Sequence, residues 1–291
     1  MKEIVIISGK GGTGKTSITA AFAALSTQAV FADCDVDAAD MHLLLAPLSQ
    51  QSYPFISGNI ARIDAQNCTG CDTCNSLCRF DAVRPGSPYT IIPSSCEGCG
   101  VCVHFCPEKT IEFPPQRCGQ WYQSETRFGS MVHAALDIGA ENSGKLVSLV
   151  RQEARNLAEK HQRELILIDG PPGIGCPVIA ATTGANAVLV ITEPTCSGKH
   201  DLLRVLELTN HFDIPAYICV NKWDINPDMT EEIKTAAQEK GATFVGTIPY
   251  DEQITTAQIE GKTIVEWGDT IAANAIKKIW NSFCEQLDLP Q

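Results

Sequence analysis

Two patterns in this 291-residue chain are built from residue types that do chemistry. The first is a pair of cysteine arrays. Cys68, Cys71, Cys74 and Cys78 form C-x2-C-x2-C-x3-C, and Cys96, Cys99, Cys102 and Cys106 repeat it, with Pro107 following. Thiolates at this density are ligands for soft metals, and this spacing is one that holds [4Fe–4S] clusters. The second pattern is residues 9–16, GKGGTGKT, which satisfy G-x-x-x-x-G-K-[ST] between an apolar strand and a helical segment. Gly9, Gly11, Gly12 and Gly14 let the backbone N–H groups around Thr13 turn toward an anion, and the helix N-terminus adds its partial positive charge. Lys15 reaches the β- and γ-phosphates of a nucleotide and Thr16 offers its hydroxyl to Mg2+, with Ser17 beside it in the binding loop.

Disulfides and zinc are the alternatives for the cysteines. Eight of the fourteen fall between Cys68 and Cys106, and the other six are scattered. The opening MKEIVIISGKGG carries too short an apolar run for a signal peptide, so a cytoplasmic chain with reduced thiols is expected. Zinc sites use two separated pairs with a longer spacer, which the doubled register does not match. The balance of 22 basic against 34 acidic residues, net −12, argues against nucleic acid or an anionic membrane as the main partner. No stretch approaches the roughly 18 consecutive apolar residues of a membrane span, so stable membrane insertion is not expected.

The elements that must position these residues read as strand–helix alternation. Near-continuous apolar runs at 3–8, 29–33, 164–169, 187–192, 216–220 and 243–247 suit strands buried on both faces of a parallel sheet. Helical patterns at 15–26, 144–161, 199–210, 230–240 and 269–284 lie between them. The expectation is a doubly wound α/β domain with a mostly parallel sheet, made of residues 1–61 and 116–291. Residues 62–115 break the pattern and are too poor in aliphatics to build a core without a staple, so they read as a small inserted domain. Residues 116–143 read as either an irregular return or a hairpin.

Lys10 makes the loop K-G-G-x-G-K-T, which resembles the deviant Walker A motif of the MinD, ParA, Mrp and nitrogenase-iron-protein superfamily of P-loop NTPases. The resemblance implies that Lys10 reaches across a dimer to the partner's nucleotide. It implies that Asp35 of Asp33-Cys34-Asp35 orients the attacking water while Asp33 lies near the metal. LILIDGPPG, residues 165–173, resembles the Walker B strand and second switch, with Asp169 holding Mg2+ through a water and Gly173 presenting its N–H to the γ-phosphate. Asn221 and Lys222 match the adenine-contacting position, and Pro249 and Asp251 of the IPYD loop close over the base. The cysteine arrays resemble those of bacterial ferredoxins, where the fourth cysteine of each run ligates the other cluster. That resemblance assigns Cys68, Cys71, Cys74 and Cys106 to one cluster, and Cys96, Cys99, Cys102 and Cys78 to the other, in a small bacterial-ferredoxin-like α+β domain. Arg79 departs from it, standing where proline usually follows the fourth cysteine, and its charge would raise that cluster's potential.

The implied cofactors are ATP, Mg2+ and two [4Fe–4S] clusters. The implied assembly is a homodimer, or a heterodimer with a paralogue, acting on a redox or cofactor-accepting partner protein. Three functions follow: an Mg-dependent ATPase whose nucleotide state gates electron transfer, an Mrp-like iron–sulfur or metallocofactor carrier, or a MinD/ParA-type positioning ATPase. Mrp-type carriers hold a labile cluster at a C-x-x-C near the C-terminus, a spacing found here only inside the arrays. The last function needs a basic surface or membrane helix, whereas Lys277 and Lys278 stand against Glu285 and Asp288, and Ile271, Ala275, Ile279 and Phe283 are spaced to pack on the sheet. Among the remaining residues, Cys176 reads as a small buried side chain rather than a further ligand with Cys34 or Cys118. Cys196, Cys219 and Cys284 read as core or near-core residues. Ser197 reads as a helix N-cap, with His200 and Asp201 as alternatives lining the site.

Overall fold

The computed structural model describes residues 1–289. The chain runs through β1 (Lys2–Ser8), α1 (Lys15–Leu25), β2 (Ala29–Asp33), α2 (Met41–Leu45) and β3 (Ser49–Asn59). Short elements follow: β4 (Arg62–Ile63), α3 (Thr73–Leu77), β5 (Val83–Arg84), β6 (Thr90–Ile91), α4 (Val101–Phe105) and β7 (Ile111–Glu112). β8 (Pro115–Thr126) and β9 (Gly129–Leu136) lead into α5 (Ser143–Lys160), β10 (Leu165–Pro172) and α6 (Cys176–Thr182). Then come β11 (Ala187–Thr192), α7 (Cys196–His211), β12 (Ala216–Asn221) and α8 (Pro227–Glu239). β13 (Thr243–Ile248), α9 (Gln253–Ile259), α10 (Ile264–Trp267) and α11 (Ile271–Leu287) complete the path.

Two compact units result. The first comprises Met1–Tyr53, Trp121–Ala135 and the described residues from Ser143 onward; the second comprises Pro54–Gln120 and Leu136–Asn142. The second unit therefore takes in residues on both sides of 62–115, because the flanks of β3 and β8 and the turn after β9 pack with it.

A nine-stranded sheet has the order β13-β12-β11-β1-β10-β2-β9-β8-β3. Every pairing from β13 to β9 is parallel. All of β2 and β11 and nearly all of β1 are buried, which is why these strands lack alternation. Phe22, Phe31, Trp280 and Phe283 pack in the core cluster. The 116–143 stretch is a hairpin, β8 and β9 joined by Arg127 and Phe128, and β9 extends the parallel sheet at Phe31↔Met131 and Asp33↔His133. Arg127 pins the turn, donating to Glu266 and to the carbonyls of Leu44 and Gly261.

Helix α7 starts three residues earlier than its apolar spacing suggests. Thr195, not Ser197, is the N-cap, its hydroxyl accepting from Gly198 N–H at 2.9 Å. Cys219 and Cys284 are buried as expected, but Cys176 and Cys196 are exposed. Each is the first residue of its helix, after a glycine or threonine cap that turns the chain outward.

A buried ion triad fastens helices to the sheet. Glu3 on β1 accepts from Arg151 at 2.5 Å and from Arg155, and Arg151 also donates to the carbonyls of Ala180 and Thr183 at the end of α6. Burial pushes the Glu3 carboxyl up, but the two guanidiniums outweigh it and hold the pKa below its ordinary 4.5. A depressed carboxylate contributes stability that is complete above 4.5 and is lost as pH falls through the folded value. Arg151→Ala leaves that carboxylate poorly compensated, and urea denaturation at pH 7 should show a loss of about 3–5 kcal/mol. The variant's stability should also fall less steeply than wild type on acidification below pH 4.5.

The second unit is built twice. β4 and β6, α3 and α4, and β5 and β7 stand at one constant offset, the offset that also relates Cys68 to Cys96 and Cys78 to Cys106. Positive φ recurs at the same register: Gly70 and Gly98, Asp72 and Gly100, Asp81 and Lys109. The halves are interleaved, with β4 pairing β7 and β5 pairing β6, both antiparallel.

Candidate functional site

Parallel strands deliver their chemistry at their C-terminal ends. Ser8, Asp33, Thr192, Asn221 and Ile248 are the last residues of their strands, and Asp169 lies in the C-terminal half of β10. Residues after β1 wrap a cavity of about 760 Å3, large enough for a nucleotide. Gly11, Gly12, Thr13, Gly14, Lys15, Thr16 and Ser17 all line it, together with Asp35, Asn221, Lys222, Pro249 and Asp251. Gly14 caps α1 at φ 85° without a side-chain cap, which leaves the first N–H groups of the helix for an anion. A Cβ on Gly14 would lie 2.6 Å from Asn221 Nδ2, and that amide donates to Thr13 O at 2.8 Å. Thr13 Oγ1 is buried without a hydrogen-bond partner, an unspent donor in the loop that phosphate oxygens would satisfy.

Lys15, 6% exposed, sits among carboxylates: Asp169 Oδ1 at 3.0 Å and Asp35 Oδ2 at 3.5 Å. Burial disfavours its charge, but Asp169, Asp35 and Asp33 outweigh that, holding the ammonium above its ordinary pKa. Burial and the neighbouring Asp169 push the Asp33 carboxyl well up, and burial likewise raises Asp35. Asp169 also accepts from Thr16 Oγ1 at 2.7 Å and Thr19 Oγ1 at 2.9 Å, which ties the end of β10 to the first turn of α1. The residues fit Mg2+: Thr16 and Asp169 would hold it, and the excess of carboxylate over ammonium offers the charge a dication neutralises.

Several expected site residues have partners of their own. Asp33 accepts from the N–H groups of Asp35 and Met41, so it organises the turn into α2 and does not line the cavity. Gly173 N–H donates to Ser8 O at 2.9 Å. Asn221 spends its Oδ1 on the Lys222 N–H. Lys10 Nζ lies 3.3 Å from Glu193 Oε2 and close to the hydroxyls of Thr195 and Ser197, and Lys222 Nζ donates to Glu193 Oε1 at 2.6 Å. Burial pushes the Glu193 carboxyl up, but the two lysines outweigh it and hold it below its ordinary value. Sequence reasoning missed Glu193, although it directly follows an apolar strand, just as Asp33 ends one. Gly9 stays outside the lining because it packs against α7, where a Cβ would meet Asp201 Cβ at 2.4 Å.

In the second unit, Cys68, Cys71, Cys74 and Cys106 line one cavity with Ile63, Tyr89 and Ile111. Three of these cysteines come from the first array and one from the end of the second. Among the described residues no three His, Cys, Asp or Glu side chains converge into a group able to hold a metal ion. Thr73 and Thr110 hydroxyls lie against Cys71 and Cys106.

A family model described as the CobQ/CobB/MinD/ParA nucleotide binding domain matches residues 4–264. The chain belongs to this family. An uncharacterized Methanocaldococcus jannaschii protein, MJ0578, is 36% identical over 227 residues, which is 77% of this chain and 79% of that protein. A Pyrococcus furiosus protein named iron-sulfur cluster carrier protein is 27% identical, matching 43% of this chain and 46% of its own length. Among solved structures, MinD with Mg-ADP from Pyrococcus horikoshii is 18% identical with a TM-score of 0.58, covering 98% of this chain and 96% of that one. The mostly parallel α/β fold is thus that of the MinD-type P-loop ATPases, and some relatives in the family are iron–sulfur carriers. No helix among the described residues is long and apolar enough to cross a membrane.

In this member of the family the loop geometry is testable at one atom. Gly14→Ala places a Cβ in the left-handed region and against Asn221, straining both the loop and the amide that braces it. Titration with a fluorescent ATP analogue should show at least about tenfold weaker binding, while circular dichroism shows the same helical content.

Proposed function

We propose that this protein is an ATP-hydrolysing iron–sulfur protein in which the nucleotide state of a dimer gates one-electron transfer, through two [4Fe–4S] clusters, to a partner protein. The observation that carries the reading is the cavity lined by Cys68, Cys71, Cys74 and Cys106, since ligands drawn from both arrays are what interleaved cluster sites require. A bound cluster supplies the one-electron couple. In the other half, Cys96, Cys99, Cys102 and Cys78 would hold the second.

Phosphoryl transfer needs positioning and charge neutralisation more than covalent chemistry. Lys15 and the N–H groups of the glycine loop hold the β- and γ-phosphates, Thr16 and Asp169 hold Mg2+, and Asp35 orients the water. Lys10, at the loop's exposed edge, reaches a second copy's or a paralogue's nucleotide once it leaves Glu193. Binding γ-phosphate draws Lys15 from Asp35 and Gly173 N–H from Ser8, so the first switch, at Asp33–Asp35, and the second, at Asp169–Gly173, change partners together. The first switch continues through α2 into β3, which carries the chain into the cysteine-bearing unit.

The iron–sulfur carrier relatives favour a second reading, delivery of a cluster to an apo-protein. Anaerobic reconstitution separates the readings. The gating reading expects about eight iron per chain, and dye reduction that is faster with ATP than with a non-hydrolysable analogue. Rapid loss of clusters to an apo-acceptor would favour the carrier. Iron-free, colourless protein would remove both. Asp35→Ala should retain ATP binding while hydrolysis falls about 100-fold or more; normal turnover would overturn the role of Asp35.

A further inference from the structure

The two cysteine-bearing halves share a backbone but not the side chains that touch sulfur. In the first site, Thr73 Oγ1 lies 3.4 Å from Cys71 Sγ and Thr110 Oγ1 lies 3.6 Å from Cys106 Sγ. In the thiol form Cys71 donates to Thr73; a ligating thiolate has lost that proton, so the threonine hydroxyl becomes the donor. At the repeat offset, Thr73 corresponds to Val101 and Thr110 to Ala82, neither of which has a hydroxyl. Tyr89, which also lines the first cavity, corresponds to Ala61.

Resting on the iron–sulfur reading above, we propose that Thr73 and Thr110 hold the site of Cys68, Cys71, Cys74 and Cys106 at a higher reduction potential than the site of Cys96, Cys99, Cys102 and Cys78. A hydrogen bond to a ligand sulfur draws electron density away and stabilises the reduced, more negative cluster, which raises its potential. Charges act in both directions. Asp72 and Glu108 line the first cavity and would lower its potential, and Arg79 follows Cys78 and would raise the second site's. All three are exposed, so water and salt screen them, and Asp72 already accepts from the Tyr89 hydroxyl at 2.8 Å. The direct hydroxyl contacts therefore decide the order. A low-potential one-electron donor supplies one electron. It passes from the reduced second site, which is thereby oxidised, to the oxidised first site, which is thereby reduced, with no bond made or broken. The partner protein draws it from the first site.

The test is potentiometry followed by electron paramagnetic resonance on the full chain, reconstituted anaerobically. Wild type should reduce in two resolved steps. Thr73→Val with Thr110→Val should lower the higher midpoint and weaken the electron's preference for the first site at least tenfold, which is about 59 mV for a one-electron couple. Thr73→Ser with Thr110→Ser should keep the wild-type split, and Val101→Thr should raise the lower midpoint. Resolved midpoints that none of these changes moves would overturn the proposal, as would a single midpoint in wild type, while leaving the iron–sulfur reading intact. Wild-type protein that binds no iron would overturn both.

Discussion

Lys15 is a buried ammonium at the first residue of α1, beside the ends of parallel strands, and the rest of the nucleotide site is organised around it. Its charge survives burial only because Asp169 and Asp35 lie within 3.5 Å. Asp169 can do this because it also ties Thr16 and Thr19 of α1 to β10. The carboxylates in turn avoid one another's repulsion only while a cation stands between them. On the proposed function, a phosphate would take the ammonium and a divalent cation the carboxylates, so the two would enter together.

Around this centre several polar groups of the site are paired within the chain, Thr13 Oγ1 being an exception. Lys10 and Lys222 share Glu193, Gly173 donates to Ser8, and Asp33 caps the turn into α2. Each partner lies at the end of a different strand or in the switch after it, so exchanging one partner for a nucleotide oxygen shifts the end of a rigid element. This is the physical content of a switch: alternative partners of comparable strength for the same donors. Glu193 is notable because a single carboxylate restrains both Lys222, which lines the cavity, and Lys10 of the glycine loop.

The cysteine-bearing unit follows another logic. It has few buried aliphatics, and its backbone repeats, down to the residues with positive φ. Two interleaved antiparallel pairs bring cysteines of both arrays to one cavity. The duplicated backbone carries unequal side chains around its cysteines: Thr73 and Thr110 stand where the other half has Val101 and Ala82.

The alternation of apolar runs and helical patterns made the parallel sheet legible, because strands buried on both faces must be apolar throughout. The glycine loop was legible because phosphate binding needs backbone that only glycine at φ near 85° provides. β3 was not: it lies at one edge of the sheet, and its polar, mostly exposed residues look like loop, while the β8–β9 hairpin was legible only as one of two readings. The exposed Cys176 and Cys196 misled because cysteine is usually buried, whereas both stand at the first turn of a helix facing outward. Local chemistry, written in spacing and residue type, determined the phosphate loop, the two cysteine arrays and the alternating domain. Only tertiary structure decided that Glu193 would hold Lys10 and Lys222, that Asp33 would serve the backbone, and that Thr73 and Thr110 would touch sulfur. Those are pairings between residues distant in the chain or set by a side-chain rotamer, and a contact of that kind has no period or spacing to announce it.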